Sequence, residues 1–150
     1  MNPNVLASEK CPIVGTVDPA TITAASYTDA IDMSKFHQAL GIALLGNMDD
    51  ANNVVFAAYP CNSAGNARGT AMKTITKTAA AGNDNTQLVI GVRAEDLLAQ
   101  VTYTRYIQFG IANSGAGGGP AGVVALGIDP KYGPGSDSDL SSVTILNALD

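Results

Sequence analysis

The stretch Val101-Thr102-Tyr103-Thr104-Arg105-Tyr106-Ile107-Gln108-Phe109-Gly110-Ile111 narrows what this chain can become more than any other. Its odd positions carry Val, Tyr, Arg, Ile, Phe and Ile, and its even ones Thr, Tyr, Gln and Gly. That is a period of two, rich in β-branched and aromatic residues, and it predicts a strand with one buried face.

Further short apolar segments repeat the theme, separated by turn chemistry. Gln87-Leu88-Val89-Ile90-Gly91-Val92-Arg93 alternates after the cluster Gly82-Asn83-Asp84-Asn85. Asn53 to Tyr59 is apolar on both faces, as a central strand of a sandwich would be. Ala71 to Thr78 carries Lys73 and Lys77, which suit an exposed edge. Gly122 to Ile128 ends the series, and Asn113 to Pro120 reads as a flexible hairpin or loop before it. Between Ser34 and Leu45 the pattern is ambiguous. Ala39, Ala43 and the leucines allow a helix capped by Ser34, yet Phe36, Gln38, Leu40, Ile42 and Leu44 share one parity. Gly41 would cost a helix about 1 kcal/mol, so a strand is favoured. Arg93 to Leu98 fits a helical turn. The spacing of turns predicts an all-β antiparallel sandwich or barrel over residues 21–128.

A length of 150 residues suits one domain. Residues 1–20 hold Pro3, Pro12 and Pro19 without periodicity and read as an extended N-terminal arm, pinned at Ile13 and Val14. Residues 129–150 read as a C-terminal arm whose end, Val143 to Leu149, regains an apolar pattern and should dock on something. Charged residues make up 14% of the chain, against about 25% in ordinary domains. The surface must therefore be largely Ala, Gly, Thr, Ser and Asn, as one that meets another subunit can be. A net charge of −5 counts against a broad nucleic-acid surface. No run approaches the roughly 20 apolar residues of a membrane span. The first ten residues lack the basic start and apolar core of a signal peptide, so the chain is expected to be made in a cytoplasm and kept reduced there. Cys11 and Cys61 are then two free, partly buried thiols.

The search for chemistry yields little. His37 is the sole histidine and lies within an apolar alternating segment, so a structural role is expected. No G-x-S-x-G elbow is present, and Cys61 has no base nearby in sequence. Gly117-Gly118-Gly119-Pro120-Ala121-Gly122 matches G-x-G-x-x-G in form, but a strand pattern follows where a dinucleotide site needs a helix. Asp49 with Asp50, and Asp137 with Asp139, lack the remaining oxygens of a calcium loop; Asp137 reads as a cap. Arg68, Lys73, Lys77, Arg93 and Arg105 form no stripe with aromatics. Arg105 is expected to reach a carboxylate such as Glu95 or Asp96, or one on a partner. No catalytic, cofactor-binding or metal residues are assigned.

One resemblance emerges from the order of features. Asp32-Met33-Ser34-Lys35-Phe36 leads into the segment ending Leu45-Gly46-Asn47-Met48; Val54 to Ala58, Ala71 to Thr76 and Gln87 to Leu97 follow. The tail Asp129-Pro130-Lys131-Tyr132-Gly133-Pro134, with Ser138 to Val143, completes it. Over roughly residues 28–145 this resembles the small virion structural proteins of tailed bacteriophages. The resemblance implies a β-sandwich or jelly-roll body and a role as a capsid cement or decoration protein on the outer head surface. It implies the major capsid protein and further copies of the chain itself (a homo-oligomer) as partners, with no nucleic acid or membrane, no cofactor and no enzymatic activity. Proline-bearing arms that clamp neighbouring subunits suit that role, because a repeating lattice multiplies weak contacts. Two other readings stand beside it: a carbohydrate-binding or adhesion sandwich using Tyr103, Tyr106 or Tyr132, and a neck or tail component.

Overall fold

The computed structural model describes residues 7–48, 53–78, 85–114 and 118–132. Among these, nine strands follow a one-turn helix, α1 (Ala7–Lys10). They are β1 (Ile13–Ile22), β2 (Ser26–Tyr27), β3 (Ile31–Asp32), β4 (Phe36–Leu45), β5 (Asn53–Cys61), β6 (Lys73–Lys77), β7 (Gln87–Arg93), β8 (Tyr106–Ser114) and β9 (Gly119–Pro130). A 3₁₀ turn over Ala94–Ala99 separates β7 from β8.

Every pairing is antiparallel, and the strands divide into two sheets. One runs β1-β9-β4-β7; the other runs β2-β8-β5-β6, with β3 also paired to β8. Apart from the two-residue β3, eight strands counted in chain order fall 1-8-3-6 in one sheet and 2-7-4-5 in the other. That interleaved order, two Greek keys wrapped together, is a jelly roll. The all-β antiparallel sandwich expected from turn spacing is the architecture found.

The two inner faces differ in residue size. The β2-β8-β5-β6 sheet contributes Ile107, Phe109 and Ile111 from β8, and Val54, Phe56 and Ala58 from β5. The rings of Phe56 and Phe109 stack with centroids 6.0 Å apart. Opposite them, the centre of the other sheet offers Ala39, Gly41 and Ala43 on β4 with Ala121, Val123 and Ala125 on β9. Phe109 fills the space above Gly41, where an added Cβ would fall 2.6 Å from its Cγ. Phe36 lies likewise on Gly127, whose Cβ would meet Cε1 at 2.6 Å. Large residues thus seat over glycines, Phe109 across the two sheets and Phe36 on the neighbouring strand of its own sheet, as close-packed interiors require. The parity of β4 that gathers Leu40, Ile42 and Leu44 is consequently the outer one.

Several expectations are corrected. The strand read from Val101 begins at Tyr106: Tyr103 sits at φ +59°, which breaks an extended run, and Val101 is fully exposed. Of the hairpin or loop read over Asn113 to Pro120, the hairpin is ruled out, because β8 and β9 belong to different sheets. The second half of the stretch read as an N-terminal arm is strand β1, an edge strand along β9. Its pairing slips between Ile13 and Gly15 and again between Val17 and Ala20. Pro19 sits in the second slip, where a residue without an N–H is tolerated. At the other terminus β9 reaches Pro130, and the Lys131 amide donates to Lys35 O at 2.8 Å. The rest of the expected C-terminal arm, 133–150, lies outside the described residues, as do Asp49, Asp50, Gly82 to Asp84, Gly117, Asp137 and Asp139.

Other readings hold. Ser34 to Leu45 contains a strand, Ala94–Ala99 is a helical turn, and β6 with its two lysines is an edge strand. The 3₁₀ turn is fixed by Asp96, whose Oδ2 accepts the Arg93 amide at 3.0 Å.

Candidate assembly surface

A sheet in a sandwich has two faces, and the outward one normally alternates to polar residues. On the β1-β9-β4-β7 sheet its central part is mostly apolar instead, with Gln38 and Arg93 following at one end. Strand register assembles three rows across this outer face. Ile13, Leu126, Leu40 and Gly91 form the first; Thr16, Val124, Ile42 and Val89 the second; Gly122, Leu44 and Gln87 the third. No charged side chain occurs in these rows. Leu44 is 49% exposed and Val89 50%, while Leu40, Ile42, Val124 and Leu126 are half-buried among each other. With strands about 4.8 Å apart and a rise of about 3.3 Å per residue, the rows cover roughly 400 Å². That lies within the roughly 300–600 Å² of the largest patch on a typical monomer, which is often functional.

The two ends of the patch differ. One continues into a groove of about 510 Å³ between Leu44, Pro19 and Pro120, whose single charged lining residue is Asp18. The other ends in a polar cleft of about 610 Å³ lined by His37, Gln38, Arg93, Glu95, Leu98, Asp129 and Lys131. His37 is exposed there instead of enclosed by the apolar segment around it. It stands across from Asp129, which adopts φ +53° between the pairs Phe36–Pro130 and Gln38–Ile128. Arg93 Nη1 donates to Glu95 Oε1 at 3.1 Å, and Lys131 Nζ to Met33 O at 3.1 Å. The patch thus has an apolar centre, one end that continues apolar and one end that is polar.

The remaining candidate residues are dispersed. Arg105 reaches neither Glu95 nor Asp96: its Nε and Nη2 fork onto Asp32 Oδ1 and Oδ2 at 3.0 and 2.6 Å. This Arg105 fork holds the Asp32 carboxyl down at about 2, although partial burial pulls the other way. Asp96 pairs instead with Lys73 at 3.0 Å, and Lys73 also donates to Gly91 O at 2.7 Å, tying the edges of the two sheets. The Arg93 amide, followed by the Lys73 ammonium, keeps the Asp96 carboxyl below the usual carboxylate range. Arg68 lies 3.5 Å above the Tyr27 ring and donates to Gln108 Oε1 at 2.9 Å. Burial pushes the Cys61 thiol up to about 11 even with Arg68 nearby; Cys11 is half-buried, and both are free. Gly119, Pro120 and Gly122 lie within β9, so these glycines lead into a strand. Among the described residues no three His, Cys, Asp or Glu side chains gather as a metal site requires, and no helix is long and apolar enough to cross a membrane. The three tyrosines meet different partners. Tyr106 carries the Arg105 guanidinium at 5.1 Å, Tyr103 lies beside Gly69, and Tyr132 is 86% exposed.

Sequence reasoning collected Leu40, Ile42 and Leu44 on one parity, which was the available signal for this surface. Their outward direction and their alignment with Val89, Val124 and Leu126 depend on pairings between distant segments.

No protein-family model matches the sequence, and no curated protein is similar to it. Similar solved structures come from infectious bursal disease virus. The VP2 subviral particle is 15% identical over 84% of this chain and 34% of its own, with a TM-score of 0.44. The structure of the Gx strain is 14% identical over 91% of this chain and 38% of its own, with a TM-score of 0.43. The T=1 particle derived from that virus is 16% identical over 92% of this chain and 37% of its own, with a TM-score of 0.38. The chain therefore spans between 34% and 38% of the length of the structures it matches.

Proposed function

We propose that this chain is a non-enzymatic structural protein of a virion, a cement or decoration protein that binds the outer shell and bridges neighbouring subunits. The observation that carries this reading is the uncharged, largely apolar group of rows at the centre of the outer face of the β1-β9-β4-β7 sheet. Two further points support it: the resemblance to small phage head proteins, and the jelly-roll strand order, which viral shell domains share with lectins and cupins. The space between the sheets, where a cupin holds its ligand, is filled here by Phe36, Phe56, Phe109 and their neighbours. A jelly roll whose interior is packed and which carries an apolar patch on one outer face suits contact with other protein. On a lattice each such contact can be weak, because the neighbours are held at high effective concentration.

The test uses purified particles that carry the chain and particles made without it. The reading expects the chain-free shell to disassemble at a lower temperature, and added wild-type protein to restore the difference. Absence of the chain from purified particles, or identical melting with and without it, would refute the reading. Copy number in the same particles separates a head-surface position from a neck or tail position.

A further inference from the structure

On the side of the sandwich away from the apolar rows, we propose that Arg68 is a pre-set fork for a carboxylate carried by a sugar. The site is built up from β8. Gly110 lies between the inward Phe109 and Ile111 and so faces outward, and the Tyr27 and Tyr59 rings close over it. A Cβ at Gly110 would fall 2.6 Å from Tyr27 Cδ1 and 3.0 Å from Tyr59 Cε2. These two rings meet edge to face with centroids 5.8 Å apart. Gln108 shares the outward parity of Gly110, yet it is only 5% exposed. The turn after β5 folds back over it: Gly65 sits at φ +69°, and a Cβ there would collide with Gln108 Nε2. That turn is held by Asn62, whose Oδ1 accepts the Asn66 and Ala67 amides at 3.2 and 3.3 Å, and by the bridge that pairs Cys61 with Arg68.

The buried glutamine is engaged at both atoms. Its Nε2 donates to Thr28 O at 2.7 Å, and its Oε1 accepts Arg68 Nε at 2.9 Å. The guanidinium also lies 3.5 Å above the Tyr27 ring. One edge and one face of the group are thereby fixed, and a satisfied buried network of this kind is rigid. What remains is the terminal edge, Nη1 and Nη2, which no hydrogen bond or ion pair among the described residues uses, on a residue that is half-buried. The other two arginines each hold a carboxylate, Arg93 with Glu95 and Arg105 with Asp32. Arg68 meets none among the described residues, in a chain with thirteen Asp and Glu. Two parallel N–H groups in one plane match the two oxygens of a carboxylate. Among the described residues Arg68 is also the sole cation acting on Tyr59 and Cys61, which suits a singly charged group better than a phosphate.

Two points favour a sugar over an acidic peptide as the carrier. Tyr27 and Tyr59 offer apolar ring and hydroxyl together, as the mixed C–H and O–H surface of a sugar requires. The site also lies on the outer face of one sheet and the apolar rows on the outer face of the other. This second point rests on the shell-binding reading: a molecule seated through those rows turns Arg68 to the medium, where surface polysaccharides are met. Two charge-assisted hydrogen bonds at a shallow site give a Kd on the order of 1 mM, and many copies on one particle multiply that weak grip.

NMR titration of the full chain with sodium glucuronate tests this, with methyl glucoside as the neutral sugar and a triglutamate peptide as the acidic peptide. Glucuronate should move the Arg68 Nε and Gly110 amide signals of wild type, and methyl glucoside should leave them in place. Arg68→Lys keeps the charge and loses the planar fork, so it should weaken glucuronate binding by about tenfold or more. Should that variant melt well below wild type, the Arg68 Nε signal of the native protein decides alone. Failure of wild type to bind, equal shifts with glucuronate and methyl glucoside, or a folded Arg68→Lys that binds as wild type does would overturn the site. Tighter binding of triglutamate than of glucuronate would overturn the sugar and give the fork to an acidic peptide. Particles carrying the chain should be retained on an immobilised polyuronate surface. Free chain that binds glucuronate while such particles pass through would leave the site standing and overturn its outward placement on the shell.

Discussion

Two glycines on adjacent strands report which side of the β1-β9-β4-β7 sheet is inside. Gly41 points at Phe109, and a Cβ there would fall 2.6 Å from Cγ of a ring that is itself fully buried and stacked on Phe56. Gly91 points outward, and its Cβ would meet Leu40 Cδ1 alone, at 3.9 Å. Replacing either with alanine removes the same backbone freedom from the unfolded chain, a gain of about 0.5–1 kcal/mol in a strand. At Gly41 the ring must move, and overpacking a filled core costs about 1–3 kcal/mol. Gly41→Ala should therefore lose about 1–2 kcal/mol net, and Gly91→Ala should gain up to about 1 kcal/mol. For a chain of this length each kcal/mol shifts Tm by about 2–4 °C, so the two variants should melt several degrees apart, on opposite sides of wild type. Dilute samples in a thermal scan followed by circular dichroism, repeated in urea, measure this. Equal Tm values, or a more stable Gly41→Ala, would refute the inward placement of the small parity and with it the outward placement of Leu40, Ile42 and Leu44.

The Asp32–Arg105 pair sets an acid limit. Folding lowers the Asp32 pKa from 3.8 to about 2, so its contribution is present above pH 4 and is lost as pH falls through that interval. Because Arg105 is largely solvated, about 1 kcal/mol is expected, and Asp32→Asn should flatten the drop in Tm between pH 4 and pH 2 that wild type shows. An unchanged slope in the variant would remove the pair as its source. Thiol reactivity should split between the two cysteines. With its pKa near 11, Cys61 is about one part in a thousand thiolate at pH 8, so native protein should lose Cys11 first to an alkylating reagent and Cys61 only on unfolding. Equal rates in the native state, read by mass spectrometry of peptides, would contradict that burial.

Local pattern carried the fold class and most of the strands. Gln87–Arg93 alternates buried and exposed along its whole length, so its period was readable without partners. Asn53–Cys61 was readable as a central strand because both its faces are apolar. What failed did so for physical reasons that act at long range or at single backbone angles. β1 is hidden by two slips in its pairing and by Pro19 and Gly15, which erase alternation without preventing a ladder. The left-handed Tyr103 shortens β8 at a residue type that ordinarily extends a strand. Arg105 finds Asp32 across 73 positions, whereas its sequence neighbours Glu95 and Asp96 are already engaged with Arg93 and Lys73. For the candidate surface, periodicity supplied the membership of the β4 row and nothing about its direction. Size alone would send Leu40, Ile42 and Leu44 inward; the Phe56 and Phe109 rings of the facing sheet decide otherwise.

The lysine that joins the two sheet margins has a consequence for strand addition at the edges of the sandwich. Lys73 ties β6 to Gly91 on β7, and β1 carries Pro19 within a pairing slip on the opposite flank. Both features are of the kind that discourages a visiting strand at an open sheet margin. A visiting strand would meet a side-chain tie on one flank and a broken ladder on the other, so the sandwich is closed to threading at the places where sheets most easily lengthen.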